Sequence, residues 1–572
     1  MKFIGRYVRP FVGMMLLGLL IKTVGTLIEL ALPYILSYIL DEVVPHDGRL
    51  ARIVMWGGAM VGCAMIAWVC NVQANRMASK VSRDCTERIR HDLFYRTMTL
   101  SATQMDRFTV PSLESRMTTD TYNVQSFIGR VQRMGVRAPL MLMGGVIVTL
   151  IMDRALALVM LAILPVLFGV VLAVSRFGVR LYARVQTAVD GMVRVVREDA
   201  QGIRVIKALS TVPQEHRRYD AVNRTLVRSD KKAALIMGTV NPVMNLLMNL
   251  GITFVVLIGA QRVMHQQTEP GKIVAFTQYF TMISTAALSV TRIFMMYTKS
   301  AASAARIQQV VDTPPDMTVL PDTGARVPEF IRFDHVSFSY ETSRDTLRDV
   351  SFSLPRGGSL GIIGATGSGK TTLLNLLLRR YDAAAGTVYL DGRDVRTIPE
   401  AELHGFFGIA MQNDFLYADT IEENIRFGRA LTHEQIVHAA RLAQADEFIR
   451  AFPEGYDHLL SPKATNISGG QKQRLLIARA LAADPAVLVL DDSSSALDYK
   501  TDAALRAAIA QERAHTTQII VAQRVSSVMR CDRILVLEDG AVIGDGTHEQ
   551  LMCRCPVYRE ISESQMGGAI LD

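Results

Sequence analysis

The sequence has 572 residues, 49% of them hydrophobic and 20% charged, with a mean hydropathy of +0.22. It is too long for one domain and too apolar for an ordinary soluble enzyme, and this composition excludes disordered, collagen-like and coiled-coil chains. The 62 Lys and Arg against 54 Asp and Glu give a net charge of +8. In a chain with membrane spans this surplus points to basic cytoplasmic loops and not to a nucleic acid partner.

A basic, aromatic segment from Lys2 to Pro10 precedes an apolar run from Phe11 to Leu40, which predicts an interfacial elbow and a first membrane span. Apolar runs at 53–72, 136–152, 155–174, 235–260 and 273–296 bring the expected spans to six, each near the ~20 residues of a bilayer crossing. Thirteen Lys and Arg lie between Arg176 and Lys232, whereas 41–51 holds only Arg49 and the turn Asp153-Arg154 is minimal. The long loops are therefore expected to be cytoplasmic, with the N-terminus on the same side and the short loops outside. The long polar loops keep helical periodicity, so the second to fifth helices are expected to continue beyond the bilayer.

Charges within the spans are candidates for lining a translocation cavity. Lys22 and Glu29 stand two turns apart on one helical face, and Arg292 lies late in the sixth span. The alternative is snorkelling or an ion pair between helices. Six cysteines (Cys63, Cys70, Cys85, Cys531, Cys553 and Cys555) lack metal-ligand spacing and are expected to be free thiols.

The composition shifts at 312–329, where Pro314, Pro315, Pro321, Gly324 and Pro328 mark a linker between an all-α membrane domain at 1–311 and an α/β domain at 330–555. Residues 556–572 form a tail. The second domain opens on a strand-like run ending in Tyr340. The strand 359–363 then leads into Gly364-Ala365-Thr366-Gly367-Ser368-Gly369-Lys370-Thr371-Thr372, a GxxxxGK[ST] loop before a helix. Backbone N–H groups of such a loop cradle phosphates, Lys370 reaches the β- and γ-phosphates, and the Thr371 hydroxyl ligates Mg²⁺. An apolar strand, 487–490, ends in Asp491, the carboxylate that a P-loop site needs for the metal.

Between these motifs, Ile467-Ser468-Gly469-Gly470-Gln471 resembles the signature of ATP-binding cassette (ABC) proteins, and Gln412 resembles their Q-loop glutamine. With six spans, a Pro-rich linker and one cassette in that order, the chain resembles an ABC exporter half-transporter over nearly its full length. The resemblance implies a type I exporter fold, ATP and Mg²⁺ as cofactors, and a multi-pass place in the inner membrane with the cassette cytoplasmic. It implies that Tyr340 stacks on adenine and that Thr371, Gln412 and Asp491 hold Mg²⁺. It further implies that Ser495-Ala496-Leu497-Asp498 form a D-loop, and that the signature completes an ATP site on a second cassette. Segments 106–120 and 202–208 resemble those flanking the family's coupling helices.

Three positions depart from the family pattern. Asp492 stands where the catalytic Glu is usual, Gln523 where the switch His is usual, and 459–465 lacks the Gly-Glu-Arg-Gly of the cross-contact loop. Asp492 withdraws the carboxylate by one methylene, and Gln523 brings no titratable imidazole. The expected function is therefore one subunit of a heterodimer with a non-identical half-transporter, exporting a hydrophobic or amphipathic substrate such as a drug, lipid or peptide. This resembles the degenerate-site subunit of bacterial multidrug-type exporters. The alternatives are a regulatory nucleotide-binding subunit and an importer on the same fold.

Overall fold

The computed structural model describes residues 2–47, 50–322, 324, 326–340, 345–412, 414–493 and 496–566, with the backbone alone at some positions within 46–47, 167–179, 240–241 and 288–295. Two compact units divide the chain, one of residues 1–99 and 108–313 and one of residues 100–107 and 314–572. The short segment 100–107 thus groups with the second half of the sequence, a departure from a linear boundary at the linker. Within 312–329 no helix or strand forms among the described residues, as the prolines require.

The first unit is helical throughout. A short helix, Lys2–Val8, precedes the Val12–Tyr38 helix. Leu50–Met98 and Arg154–Ala208 run unbroken for 49 and 55 residues, or roughly 74 and 82 Å at 1.5 Å per residue, far more than a bilayer's ~30 Å. The third and fifth spans carry equivalent extensions but break at Gly135 and Thr239, into Thr121–Met134 with Arg137–Met152 and Val212–Gly238 with Val240–Met264. Pro270–Val311 is the last helix of the unit.

Among the described residues, four helical stretches are long and apolar enough to cross a membrane: Lys2–Val43, Leu50–Met98, Val110–Met152 and Val212–Met264. The fourth and sixth expected spans lie within the continuous helices Arg154–Ala208 and Pro270–Val311, and the described residues of the fourth include the apolar stretch Arg154–Val166. Small residues bring the helices close: a Cβ on Gly145 would lie 2.8 Å from Ile283, and one on Gly251 would lie 2.4 Å from Phe280.

Ten strands form among the described residues of the second unit. β1 (Ile331–Phe338), β2 (Leu347–Leu354), β4 (Ala385–Leu390) and β5 (Arg393–Asp394) form an antiparallel sheet in the order β2-β1-β4-β5. β3 (Ser359–Gly364), β6 (Phe407–Ala410), β7 (Val487–Asp491), β8 (Thr517–Val521), β9 (Arg533–Glu538) and β10 (Ala541–Gly546) form a sheet in the order β10-β9-β3-β8-β7-β6. This sheet is parallel except at β10, and β7 is buried along its length, as its unbroken apolar run requires. Within the expected tail, Pro556–Met566 is a helix whose Tyr558 is buried against Val528 and Val536.

Candidate functional site

Four adjacent parallel strands deliver the candidate site from their C-terminal ends. β3 pairs with β8, β8 with β7 and β7 with β6, in a register that sets Ile362 beside Val521 and Val521 beside Asp491. The loop after Gly364, Gln523, Asp491 with Asp492, and Gln412 therefore emerge along one sheet edge, where open α/β sheets bind ligands. They line a cavity of about 230 Å³ together with Thr346, Thr366, Gly367, Thr371 and Thr372.

The loop from Gly364 to Lys370 needs its glycines. Gly369 has φ +99°, and a Cβ there would lie 2.6 Å from Leu347 and 2.9 Å from the Thr346 carbonyl. The helix Lys370–Leu377 follows at once, turning its free N–H groups toward the loop. Lys370 Nζ donates to the carbonyls of Gly364 and Ala365, both at 2.8 Å. Ser368 Oγ is buried with no hydrogen-bond partner.

Thr371 Oγ1 donates to Asp491 Oδ2 at 3.3 Å, and Asp491 is 2% exposed. Burial, reinforced by the neighbouring Asp492, raises the Asp491 carboxyl above the usual carboxylate range despite Thr371 and Lys370. Burial also raises Asp492, against Lys370 and the Gln523 amide, and burial lowers the Lys370 ammonium against the pull of both carboxylates. A hydroxyl beside a buried carboxylate suits a hard divalent cation. Among the described residues no group of three or more His, Cys, Asp or Glu could hold a metal alone. Such a donor set fits Mg²⁺, which takes one or two protein oxygens and completes its shell with phosphate and water. The carboxamide of Gln412 sits at the same edge.

Asp492 has φ +47°, a left-handed conformation that is costly for a residue with a Cβ. Its Oδ2 accepts from Gln412 Nε2 at 3.1 Å and from Gln523 Nε2 at 2.9 Å. The two residues that depart from the family pattern therefore contact each other.

Tyr340 lies edge-on to Phe338 and Tyr381, with ring centroids 4.9 and 5.3 Å away, and its hydroxyl is 3.3 Å from Thr372 Oγ1. Tyr381, unremarked in the sequence, donates its hydroxyl to Asp106 at 2.7 Å. Gln104 Nε2 in the same segment donates to the Pro314 carbonyl at 2.7 Å.

The signature residues stand apart from this cavity. Ser468 caps the helix Gly469–Leu481 in a capping box with Gln471, and a Cβ on Gly470 would come within 3.1 Å of the Ala496 carbonyl. Gln473 ties this helix to the site's edge, accepting from Ala496 N at 3.0 Å and donating to the Asp492 carbonyl at 3.3 Å. Ile467 packs partly buried on the helical core, and Asp498 caps the following helix through Thr501. Ser495 lies outside the described residues.

In the membrane domain, Lys22 and Glu29 are bridged by a residue that sequence reasoning missed. Lys22 Nζ donates to Asn71 Oδ1 at 2.6 Å, Asn71 Nδ2 donates to Glu29 Oε1 at 2.8 Å, and Arg137 donates to Glu29 Oε2 at 2.9 Å. The Arg292 side chain lies outside the described residues.

Comparison with known proteins agrees with this architecture. Residues 15–287 match the ABC transporter transmembrane region and residues 347–495 match the ABC transporter family model. The chain is 35% identical to an uncharacterized ABC transporter ATP-binding protein, YfiB, of Bacillus subtilis, over 98% of both chains. This chain belongs to the ABC transporter family. It is also 30% identical, over 96% of its length and 46% of the relative's, to the multidrug efflux ATP-binding/permease protein Rv0194 of Mycobacterium tuberculosis. Its fold matches that of a bacterial Atm1-family ABC exporter with ATP bound, at a TM-score of 0.79 and 22% identity over 97% and 98% of the two chains. The protein is thus an ABC transporter with a helical membrane domain fused to an ATP-binding cassette, on the fold of that exporter.

Proposed function

We propose that this half-transporter works in a heterodimer that exports a hydrophobic or amphipathic substrate across the inner membrane, with its N-terminus and cassette in the cytoplasm. Its own Walker face, from Gly364 to Thr372 with Gln412 and Asp491, binds Mg-ATP and hydrolyses it slowly. Its signature, Ile467 to Gln471, completes the working site of a non-identical partner half. ATP held between two cassettes draws them together, the membrane helices reorient, and hydrolysis at the partner's site resets the cycle.

The observation that carries this reading is the hydrogen-bonded set of Asp492, Gln412 and Gln523. A general base must reach the attacking water, and misplacement by about 1 Å costs on the order of 10²-fold in rate. Asp492 is a methylene short of Glu, and one of its carboxylate oxygens already accepts from two amides. The multidrug efflux name of one relative supports the substrate class. ATPase assays on the purified chain alone and co-expressed with a candidate partner test the reading. The lone chain is expected to be nearly inert and the pair active, whereas a lone chain as fast as the pair overturns it.

A further inference from the structure

A cavity of about 750 Å³ opens in the membrane domain, a size typical of small-ligand sites. Four cations line it, Lys22, Arg130, Arg133 and Arg137, against one carboxylate, Glu29. Arg130 and Arg133 lie one turn apart on the helix Thr121–Met134, and Arg137 opens the helix Arg137–Met152 beyond the break at Gly135, so the cavity draws them from both sides of that break. Glu29 is already shared between Arg137 and Asn71. Lys22 is 3% exposed and rests on the amide oxygens of Asn71 and Asn75, while Arg133 reaches only the Ser79 hydroxyl. Among the described residues no carboxylate comes within ion-pair distance of Lys22, Arg130 or Arg133, and Arg137 Nε is buried with no hydrogen-bond partner.

We propose that this cavity binds the anionic headgroup of an amphiphile. The lining carries a surplus of three positive charges, four minus one. Lys22 is buried in the first span without a counter-charge, a costly arrangement that an anion arriving beside it and the three arginines relieves. Met134, Met141, Met282 and Met296 line the rest of the cavity, a deformable apolar wall suited to a hydrocarbon tail. The same cluster is also reached from a second side. A groove of about 280 Å³ between the first and second spans carries Lys22, Glu29, Asn71 and Arg137 beside Trp68, a residue 66% exposed. An aromatic ring next to a polar cluster on a membrane helix suits the boundary between headgroups and tails. The ligand therefore holds its phosphate or equivalent anion among Lys22 and the three arginines and its tail along the methionines. That this ligand is cargo rests on the export reading above.

The test uses the full chain in dodecyl maltoside, with radiolabelled hexadecyl phosphate and hexadecylphosphocholine as probes that share a tail. Hexadecyl phosphate is expected to bind on the order of tenfold more tightly, and Arg130→Gln with Arg133→Gln to abolish that preference without weakening hexadecylphosphocholine. The Arg130→Lys with Arg133→Lys variant keeps the charge and the preference. Equal affinities in the wild type, or a preference that survives the Gln pair, overturn the proposal. So does displacement of hexadecyl phosphate by an equal concentration of inorganic phosphate, which makes the site one for free anion. ATPase of the assembled pair, measured without amphiphile, reports separately on the export reading. An active pair with no headgroup preference removes only the cavity assignment, and an inert pair that keeps the preference removes only the export cycle.

Discussion

Gln523 Nε2 donates to Asp492 Oδ2 at 2.9 Å, joining the two positions at which this cassette departs from the family pattern. The contact follows from register: Asp491 on β7 faces Val521 on β8, so Asp492 and Gln523 leave neighbouring strand ends together. With its N–H directed at Asp492, the Gln523 amide is tied to the carboxylate that would otherwise serve as base. A Gln at that position also lacks the cationic form that a His can offer a phosphate. The two changes act on one another, so they are best tested together.

Replacing both, Asp492→Glu and Gln523→His, is expected to raise turnover at this site by about 10²-fold, the cost of a base misplaced by about 1 Å. The measurement is single-turnover ATP hydrolysis in the assembled dimer with the partner's catalytic carboxylate removed. An unchanged rate would show that the slow site is limited elsewhere, with the pre-signature loop around Lys463, itself in a left-handed conformation, the next place to look.

Acidification is expected to weaken Mg-nucleotide binding at a higher pH than an ordinary carboxylate would. Burial raises Asp491, so its charged, metal-binding form is full only above that raised value and is lost as the pH falls through it. The same shift destabilises the metal-free fold as pH rises, since the buried group is favoured protonated: its contribution is largest below the unfolded pKa and disappears above the folded one. Mg²⁺ titrations of fluorescent-nucleotide binding across the acidic range read the first effect. In Asp491→Asn the affinity should be low and nearly flat with pH; a wild-type slope in that variant would assign the titration to another group.

The nucleotide site was legible because its chemistry is local in sequence. Gly364 to Thr372 is one continuous loop, and Asp491 ends a run whose apolar pattern marks a buried strand. Contacts between distant residues were not legible in this way. Asp106 meets Tyr381 across 275 positions, and nothing in either neighbourhood places segment 100–107 in the second unit. Lys22 and Glu29 were visible as charges in a span, but Asn71 and Asn75, which satisfy Lys22, look like ordinary polar residues of a long helix. The i, i+3 spacing of Arg130 and Arg133, with Arg137 just beyond, was a usable signal. It was obscured because these arginines border the apolar stretch and read as flanking charges.

Tyr381→Phe is expected to leave ATP binding unchanged and to lower substrate stimulation of the ATPase. The change keeps the ring that packs on Tyr340 and removes only the hydroxyl given to Asp106, a loss of about 1 kcal/mol in the docking of segment 100–107. Stimulation is read as the ratio of rates with and without substrate in the assembled pair. If basal and stimulated rates fall together, the hydroxyl serves the cassette's own fold and not the attachment of that segment.

Glu29→Gln is expected to lower the stability of the membrane domain, because Glu29 is the only carboxylate among the four lining cations in the described cavity. Its oxygens serve Asn71 and Arg137 separately, and Gln can replace one acceptor but not the charge. With Glu29 21% and Arg137 42% exposed at their side chains, solvent screens part of the loss, which is set at about 1–3 kcal/mol. Arg137→Gln alone should cost less, since it relieves the crowd of cations while freeing Glu29 to face Lys22. The double variant should then lose less than the two singles summed, by at least about 0.5 kcal/mol, the signature of a direct pair. Thermal unfolding of the four proteins in detergent closes the cycle. Additive losses would place Glu29 in a purely local role with Asn71 and sever its link to the cation cluster.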